Sequence, residues 1–282
     1  MMNRVNRFAL VITLLAMSNG ASAALGGFTN NILVTGYWPP TNEMVRRFSN
    51  SPTQNPSGWI GGNWEGRGYN IYSFFPEFPG GTAVNPKGNG DLEVDYQDTS
   101  EDWWRITNEI KPVAIITFSR GSAGANWEIE ARTKNRTAWV SDYVVPLKPT
   151  PAPPDSSVPA ETIRFSTLPM TQIRDNVNAA SLGFSSFIDS TSSSLAGGFL
   201  SEYIGYHGMW YQSIHASPDD PYQTFAAGHI HVGIDTPLDG AMAATDISLR
   251  TLIEQLNATV PEPAIAALSL CFISMLRRRR TV

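Results

Sequence analysis

Residues 113–117 read Val-Ala-Ile-Ile-Thr, an uninterrupted apolar run rich in β-branched side chains. The run follows an amphipathic segment, Trp103 to Ile110, whose apolar positions recur at helical spacing, and only Lys111-Pro112 separates the two. A continuous apolar strand is buried on both faces, which is typical of parallel sheets covered by helices. Two further strand candidates are Asn31 to Thr35 and Asn70 to Phe75. The order of strand, helix and buried strand therefore predicts an α/β fold with a parallel sheet.

The second half of the chain continues this alternation. Helices are predicted from Thr171 to Ala180, from about Leu195 to Trp210 and from Asp246 to Leu256, with a strand from Gly228 to Val232. The segment from Pro146 to Pro159 is rich in proline and polar residues, so we expect an exposed excursion there rather than a domain boundary. A body of about 230 residues suits one α/β domain or two small ones.

The N-terminal segment has the order of a secretory signal peptide. Arg4 and Arg7 precede an apolar run from Phe8 to Met17, and small residues follow, ending in Ala21-Ser22-Ala23. A basic start, a short apolar stretch and an Ala-x-Ala site are the three parts of a cleavable leader. We therefore expect residues 1–23 to be removed on export.

The C-terminal segment has the order of a sorting signal. Pro261, Glu262 and Pro263 precede an apolar run from Ala264 to Met275, and the cluster Arg277 to Arg280 follows. The apolar run is short for a membrane pass, and the arginines should stay on the cytoplasmic side. Residues 259–282 resemble a PEP-CTERM tail, which implies an exosortase-type processing enzyme as partner and an inner-membrane tether before processing. An ordinary C-terminal anchor is the alternative, and both place the body, residues 24–258, outside the inner membrane.

Charge and cysteine content narrow the chemistry of the body. The net charge is −5 and four arginines lie in the tail, so the body is more acidic still, which argues against a nucleic-acid partner. The one cysteine, Cys271, also lies in the tail. The body therefore has no thiol chemistry of its own.

Three local patterns bring an acid, a hydroxyl and an imidazole to the ends of predicted elements: Glu130 near a strand, Ser201 at a helix start and His231 on a strand. Ligands of parallel α/β sheets collect outside the carboxyl ends of the strands. There a hydroxyl can act as nucleophile, an imidazole can take its proton and a carboxylate can fix the imidazole tautomer. Spacing alone is a weak signal for such a site, since many α/β domains contain these residue types.

Five motifs together resemble the pyroglutamyl peptidase I family, the pyrrolidone-carboxyl peptidases. They occur in the family's order and span nearly the whole body: Val34-Thr35-Gly36-Tyr37, Asn55-Pro56-Ser57, Glu130-Ala131-Arg132-Thr133-Lys134-Asn135, Ala196-Gly197-Gly198-Phe199-Leu200-Ser201 and Gly228-His229-Ile230-His231-Val232-Gly233. The resemblance implies a single three-layer α/β/α domain with a mainly parallel sheet. It also implies a hydrolase in which Ser201 is the nucleophile, His231 the base and Glu130 the orienting acid, with Tyr37 and Asn55 binding substrate.

The sequence departs from the family pattern at two important places. Ser201 stands where the family has its cysteine, and a serine hydroxyl depends more on a well-placed base than a thiol does. Tyr37 keeps one of the two aromatic rings that face the pyroglutamyl group, but Pro40 replaces the other. The substrate is therefore expected to be a peptide or a related amide or ester, without a fixed pyroglutamyl preference.

Two functions are compatible with these residues. The first is an exported hydrolase that acts through Ser201 at the cell surface or outside the cell. The second is a catalytically inactive relative that binds a peptide end or a matrix polymer. We expect no cofactor. His229 and His231 alternate on a strand as zinc ligands can, but a third ligand such as Asp235 would be needed and no second His or Cys cluster accompanies them, so we expect no metal site.

Overall fold

The computed structural model describes residues 27–190 and 196–259. Within them six strands form one sheet with the spatial order β2-β1-β3-β8-β4-β7, and two short strands pair separately as β5-β6. The strands are β1 (Asn31–Thr35), β2 (Asn70–Phe74), β3 (Ala114–Arg120), β4 (Asn126–Glu130), β5 (Arg132–Lys134), β6 (Ile163–Phe165), β7 (Ser185–Asp189) and β8 (Ala226–Val232). The helices are α1 (Thr41–Val45), α2 (Tyr96–Ile110), α3 (Met170–Ala179), α4 (Leu200–Ile214) and α5 (Leu238–Thr259).

Helices cover both faces of the sheet. One core joins α1, α3 and α5 to strand residues such as Ile116 and Ile230, and the other joins α2 and α4 to strand residues such as Ile115 and Ala227. Alternate residues of a strand point to opposite faces, so the same strands supply both cores. The result is the predicted three-layer α/β/α architecture, and the prediction is confirmed.

The sheet is mixed. Strands β1, β2, β3 and β8 are mutually parallel, whereas β4 pairs antiparallel with β8 and parallel with β7. Only five residues, 121–125, connect the end of β3 to the start of β4, so β4 returns along the sheet beside β8. This reversal, which the sequence analysis did not predict, sets two glutamates of β4 next to two histidines of β8.

The predicted elements agree with the structure, and several are longer than predicted. Helix α2 begins seven residues before Trp103, where the Asp95 carboxylate accepts hydrogen bonds from the backbone N–H groups of Gln97 and Asp98. Helix α4 begins at Leu200 rather than near 195, and α5 begins at Leu238 rather than at Asp246.

The proline-rich excursion at 146–159 has no helix or strand and is mostly exposed, as expected. One of its residues, Asp155, is nevertheless fully buried, and its carboxylate accepts hydrogen bonds from Arg164 and from the Tyr206 hydroxyl. These contacts attach the excursion to β6, which contains Arg164, and to α4, which contains Tyr206.

The predicted signal peptide, residues 1–23, lies outside the described residues, and so does the predicted sorting tail, residues 259–282, apart from Thr259, which ends α5. Of the helices that are described, none combines the length and the apolar character that a membrane crossing requires.

Candidate active site

Two histidines lie side by side near the carboxyl end of β8. Their partners on β3 are Thr117 for His229 and Ser119 for His231. The His229 ring is fully buried, with Nδ1 2.8 Å from Thr117 Oγ1 and Nε2 2.9 Å from Ser119 Oγ. Burial, with a smaller contribution from His231, holds the pKa of His229 well below its usual value. His229 is therefore a neutral residue whose two nitrogens are both engaged.

His231 contacts a buried carboxylate of the neighbouring strand. Its Nδ1 lies 3.0 Å from Glu130 Oε1, and the Glu130 side chain is only 1% exposed. A second carboxylate, Glu128, lies 3.9 Å from the same Nδ1. Burial raises the pKa of Glu128, and the neighbouring His231 partly opposes this rise.

The strand register explains why these groups meet. Glu128 is opposite His231, and Glu130 is opposite His229, so Glu130 reaches His231 diagonally. Trp127 and Ile129 alternate with the two glutamates and point into the core that contains α5. Both carboxylates therefore lie on the other face, which α4 covers.

Helix α4 crosses this face at close range because two of its residues are glycines. A Cβ atom at Gly205 would lie 2.9 Å from Cγ of His229, and one at Gly208 would lie 3.3 Å from Cγ2 of Thr117. Ser201 is one turn before Gly205 and so lies on the same helix face, toward the carboxyl end of the strands. Glu130 and His231 thus lie on the sheet face that α4 covers, and Ser201 lies on the face of α4 that is turned toward it.

Ser201 borders a small cavity of about 10 Å³ together with Ser119, the cross-strand partner of His231. Tyr37 lines the same cavity; its ring is buried, and its hydroxyl lies 2.6 Å from Thr99 Oγ1. A volume of this size holds about one water molecule. Within the described part of the chain, no hydrogen bond joins the Ser201 hydroxyl to His231.

The start of α4 is anchored by a buried carboxylate that the sequence analysis missed. Glu202 is fully buried; it accepts hydrogen bonds from the backbone N–H groups of Gly198 and Lys134 and forms an ion pair with Arg136. Burial raises the pKa of Glu202 to about 7, and Arg136 opposes the rise. An acid in the first turn of a helix is the one sequence signal for such a role.

Arg120 ends β3, borders the Ser201 cavity and has no acidic partner among the described residues. Its guanidinium lies 4.4 Å from the centre of the Trp38 ring, and it has no hydrogen bond or ion pair within residues 27–190 and 196–259. Arg120 lines both the Ser201 cavity and a neighbouring open cleft of about 390 Å³, which Pro40 also borders. The cleft is large enough for a small ligand group, and the arginine stands between it and Ser201.

Two other predicted residues have their own partners. The Asn55 side-chain amide donates to the backbone carbonyls of Arg47, Ser49 and Gly58, so it braces its own loop. Asn55 does not border the Ser201 cavity. The carboxylate of Asp235 accepts a hydrogen bond from the N–H of Gly124.

Comparison with known proteins gives structural matches alone. No protein-family model matches the chain, and no curated protein matches it significantly. A mutant pyrrolidone carboxyl peptidase from the hyperthermophile Pyrococcus furiosus has a TM-score of 0.55 and 19% sequence identity, covering 80% of this chain and 99% of that chain. The fold is that of the pyrrolidone carboxyl peptidases. The pyrrolidone carboxyl peptidase of P. furiosus and its cysteine-free mutant give a TM-score of 0.53 at 18% identity, with the same coverage.

Proposed function

We propose that this chain is an exported hydrolase in which Ser201 attacks the carbonyl of a peptide or a related amide or ester. His231 removes the serine proton and then delivers it to the leaving group, and Glu130 orients His231. The observation that carries the proposal is the 3.0 Å contact between Glu130 and His231 on the sheet face that α4 covers. The pyrrolidone carboxyl peptidase fold supports the same reading.

The Glu130 contact has a chemical consequence for His231. When Nδ1–H donates to a buried carboxylate, the lone pair of the neutral ring is on Nε2, where it can accept a proton from a serine. The carboxylate also stabilises the imidazolium that forms. Ser201 is the second residue of α4, where backbone N–H groups and the helix dipole favour the negative oxygen of a tetrahedral intermediate.

The substrate side of the proposal rests on Arg120 and Tyr37. The Arg120 guanidinium lies at the junction of the cleft and the Ser201 cavity and has no acidic partner within residues 27–190 and 196–259. It therefore favours a substrate with a carboxylate near the scissile bond. Tyr37 supplies one apolar wall. Pro40 borders the open cleft. In the family motif this position holds the second of the two aromatic residues that face the pyroglutamyl group.

The cellular part of the proposal rests on the sequence of the two ends. Residues 1–23 direct export, and an exosortase-type enzyme processes the tail near Pro261, Glu262 and Pro263. The body is first tethered to the inner membrane and is then released to the cell surface or the medium. Removal of the tail takes Cys271 with it, so the exported body acts through Ser201.

A binding role without catalysis is the second candidate, and the size of the Ser201 cavity favours it. About 10 Å³ leaves no space for a substrate carbonyl without movement of Tyr37 or α4. In that case the cleft beside Arg120 would hold a peptide end or a matrix polymer.

Turnover of a panel of pyroglutamyl, aminoacyl and ester substrates separates the two candidates. We expect hydrolysis of at least one class, lost by about 10³-fold or more in Ser201→Ala and His231→Gln. His215→Gln is the matched control, since His215 lies at the far end of α4, and it should keep full activity. Ser201→Cys should retain hydrolysis, because a thiol at this position needs less help from the base. Absence of turnover in every class, for both the wild type and Ser201→Cys, would leave the binding role.

A further inference from the structure

Three groups at the site converge closely enough to share a cation. Glu128, Glu130 and His231 each offer one ligand atom, and these atoms all lie within 4.8 Å of one another. They come from two adjacent strands and lie on one sheet face, so the backbone fixes their spacing. This set does not include His229, which the sequence pattern paired with His231 as a zinc ligand. Both nitrogens of His229 already have hydrogen-bond partners.

A second observation points to a ligand at this place. Glu130 Oε2 is buried and has no hydrogen-bond partner among the described residues, although Oε1 of the same carboxylate contacts His231, and either oxygen can serve as the ligand atom. A buried carboxylate oxygen without a partner is costly, and metal coordination is one of the few ways to satisfy it. Glu128 is 16% exposed and His231 9% exposed, so an ion can approach from solvent.

We propose that Glu128, Glu130 and His231 Nδ1 bind one zinc ion, with water in the fourth position. One imidazole and two carboxylates form a donor set that zinc accepts, and three protein ligands with an open position are a common zinc arrangement. Tetrahedral coordination with bonds near 2.1 Å separates ligand atoms by about 3.4 Å. The observed separations from His231 Nδ1, 3.0 Å to Glu130 and 3.9 Å to Glu128, bracket that value.

Bound zinc would regulate the proposed hydrolase, and this part of the inference rests on the proposed function. Zinc takes the Nδ1 lone pair, so the single proton of the neutral ring moves from Nδ1 to Nε2. Nε2 then has no lone pair with which to accept the Ser201 proton. Zinc also withdraws Glu130 from its orienting contact. Zinc binding therefore inhibits hydrolysis, and a chelator restores it.

Calorimetric titration of zinc into untagged, chelator-treated protein tests the site without reference to activity. We expect one zinc per chain in the wild type and in Ser201→Ala. Glu128→Gln should weaken binding by about tenfold or more, because it removes a charged ligand. Glu101→Gln on α2 is the matched control and should bind as the wild type does, since Glu101 is an exposed acid of another element. Absence of zinc binding, or equal zinc affinity in Glu128→Gln and Glu101→Gln, would overturn the proposal.

The regulatory part has its own measurement, the ratio of hydrolysis rates without and with zinc in each variant. We expect a large ratio in the wild type and a ratio near one in Glu128→Gln at the same zinc concentration. If the protein binds zinc but hydrolyses no substrate, the zinc site is upheld and the proposed hydrolase function is refuted. If the protein hydrolyses a substrate but binds no zinc, the hydrolase function is upheld and the zinc site is refuted. Stimulation by zinc would overturn the inhibitory role.

Discussion

The approach of α4 to the sheet depends on Gly205, and Gly205→Ala tests it. A Cβ atom there would lie 2.9 Å from Cγ and 3.0 Å from Cβ of His229, and 3.2 Å from Cγ2 of Thr133. These separations are roughly 0.5–1 Å below ordinary carbon contact. The His229 ring cannot turn away, because hydrogen bonds hold both of its nitrogens in a fully buried position. Overpacking of this kind costs about 1–3 kcal/mol.

Gly208→Ala provides the matched comparison on the same helix. Its Cβ atom would meet one methyl group, Cγ2 of Thr117, at 3.3 Å, and its next neighbour lies at 3.7 Å. Both substitutions gain about 1 kcal/mol of helix propensity, so that gain cancels in the comparison. We expect Gly205→Ala to be less stable than Gly208→Ala by about 1–3 kcal/mol in urea unfolding at equilibrium. Equal stability, or a more stable Gly205→Ala, would refute the described packing of α4 on β8.

Two further predictions concern the buried neutral histidines and the Arg120 guanidinium. Burial lowers the pKa of His207 to about 4 and that of His229 well below its usual value, so unfolding takes up protons as the pH falls below about 6.5. Stability is therefore fully present above pH 6.5 and falls toward acid, and His207 alone should remove about 2 kcal/mol by pH 5; urea unfolding at pH 7 and pH 5 should show a smaller loss in His207→Gln than in the wild type. An equal loss in both would contradict the neutral, buried state of His207. Arg120→Ala should raise KM about tenfold or more for substrates with a carboxylate near the scissile bond and leave kcat nearly unchanged, while Arg120→Lys should lose less. If KM changes equally for neutral substrates in steady-state kinetics, Arg120 does not recognise an anion.

The sequence predicts a strand where the residues form a continuous apolar run, because a strand that is apolar on both faces is buried on both faces. Strand β3 and strand β8 were found in this way, and the structure extends each of them by two or three residues. Strand β4 was missed because it alternates apolar residues with Glu128 and Glu130, and two acids in one strand are unfavourable by propensity. Its reversed direction depends on the short return at 121–125, and strand periodicity carries no information on direction.

Some residues of the candidate site were predicted from the sequence and others were not. Glu130, Ser201 and His231 were predicted through the motif order; Glu130 and His231 lie in contact on the sheet face that α4 covers, and Ser201 lies in the first turn of α4. Glu128 and Glu202 were not found, because a buried acid is recognisable only through its partners, and these come from distant segments. The start of α5 was also missed, since Ala241 and Ala244 pack against the core without a strong apolar period.

The central claim is that Ser201 is activated by His231, and covalent labelling tests it most directly. The purified protein would be treated with a fluorophosphonate probe, and the modified residue would be mapped by mass spectrometry. We predict a label on Ser201 that is absent in Ser201→Ala, strongly slowed in His231→Gln and unchanged in Ser185→Ala, an exposed serine of β7. Absence of label on Ser201, or labelling that proceeds equally fast in His231→Gln, would contradict the claim.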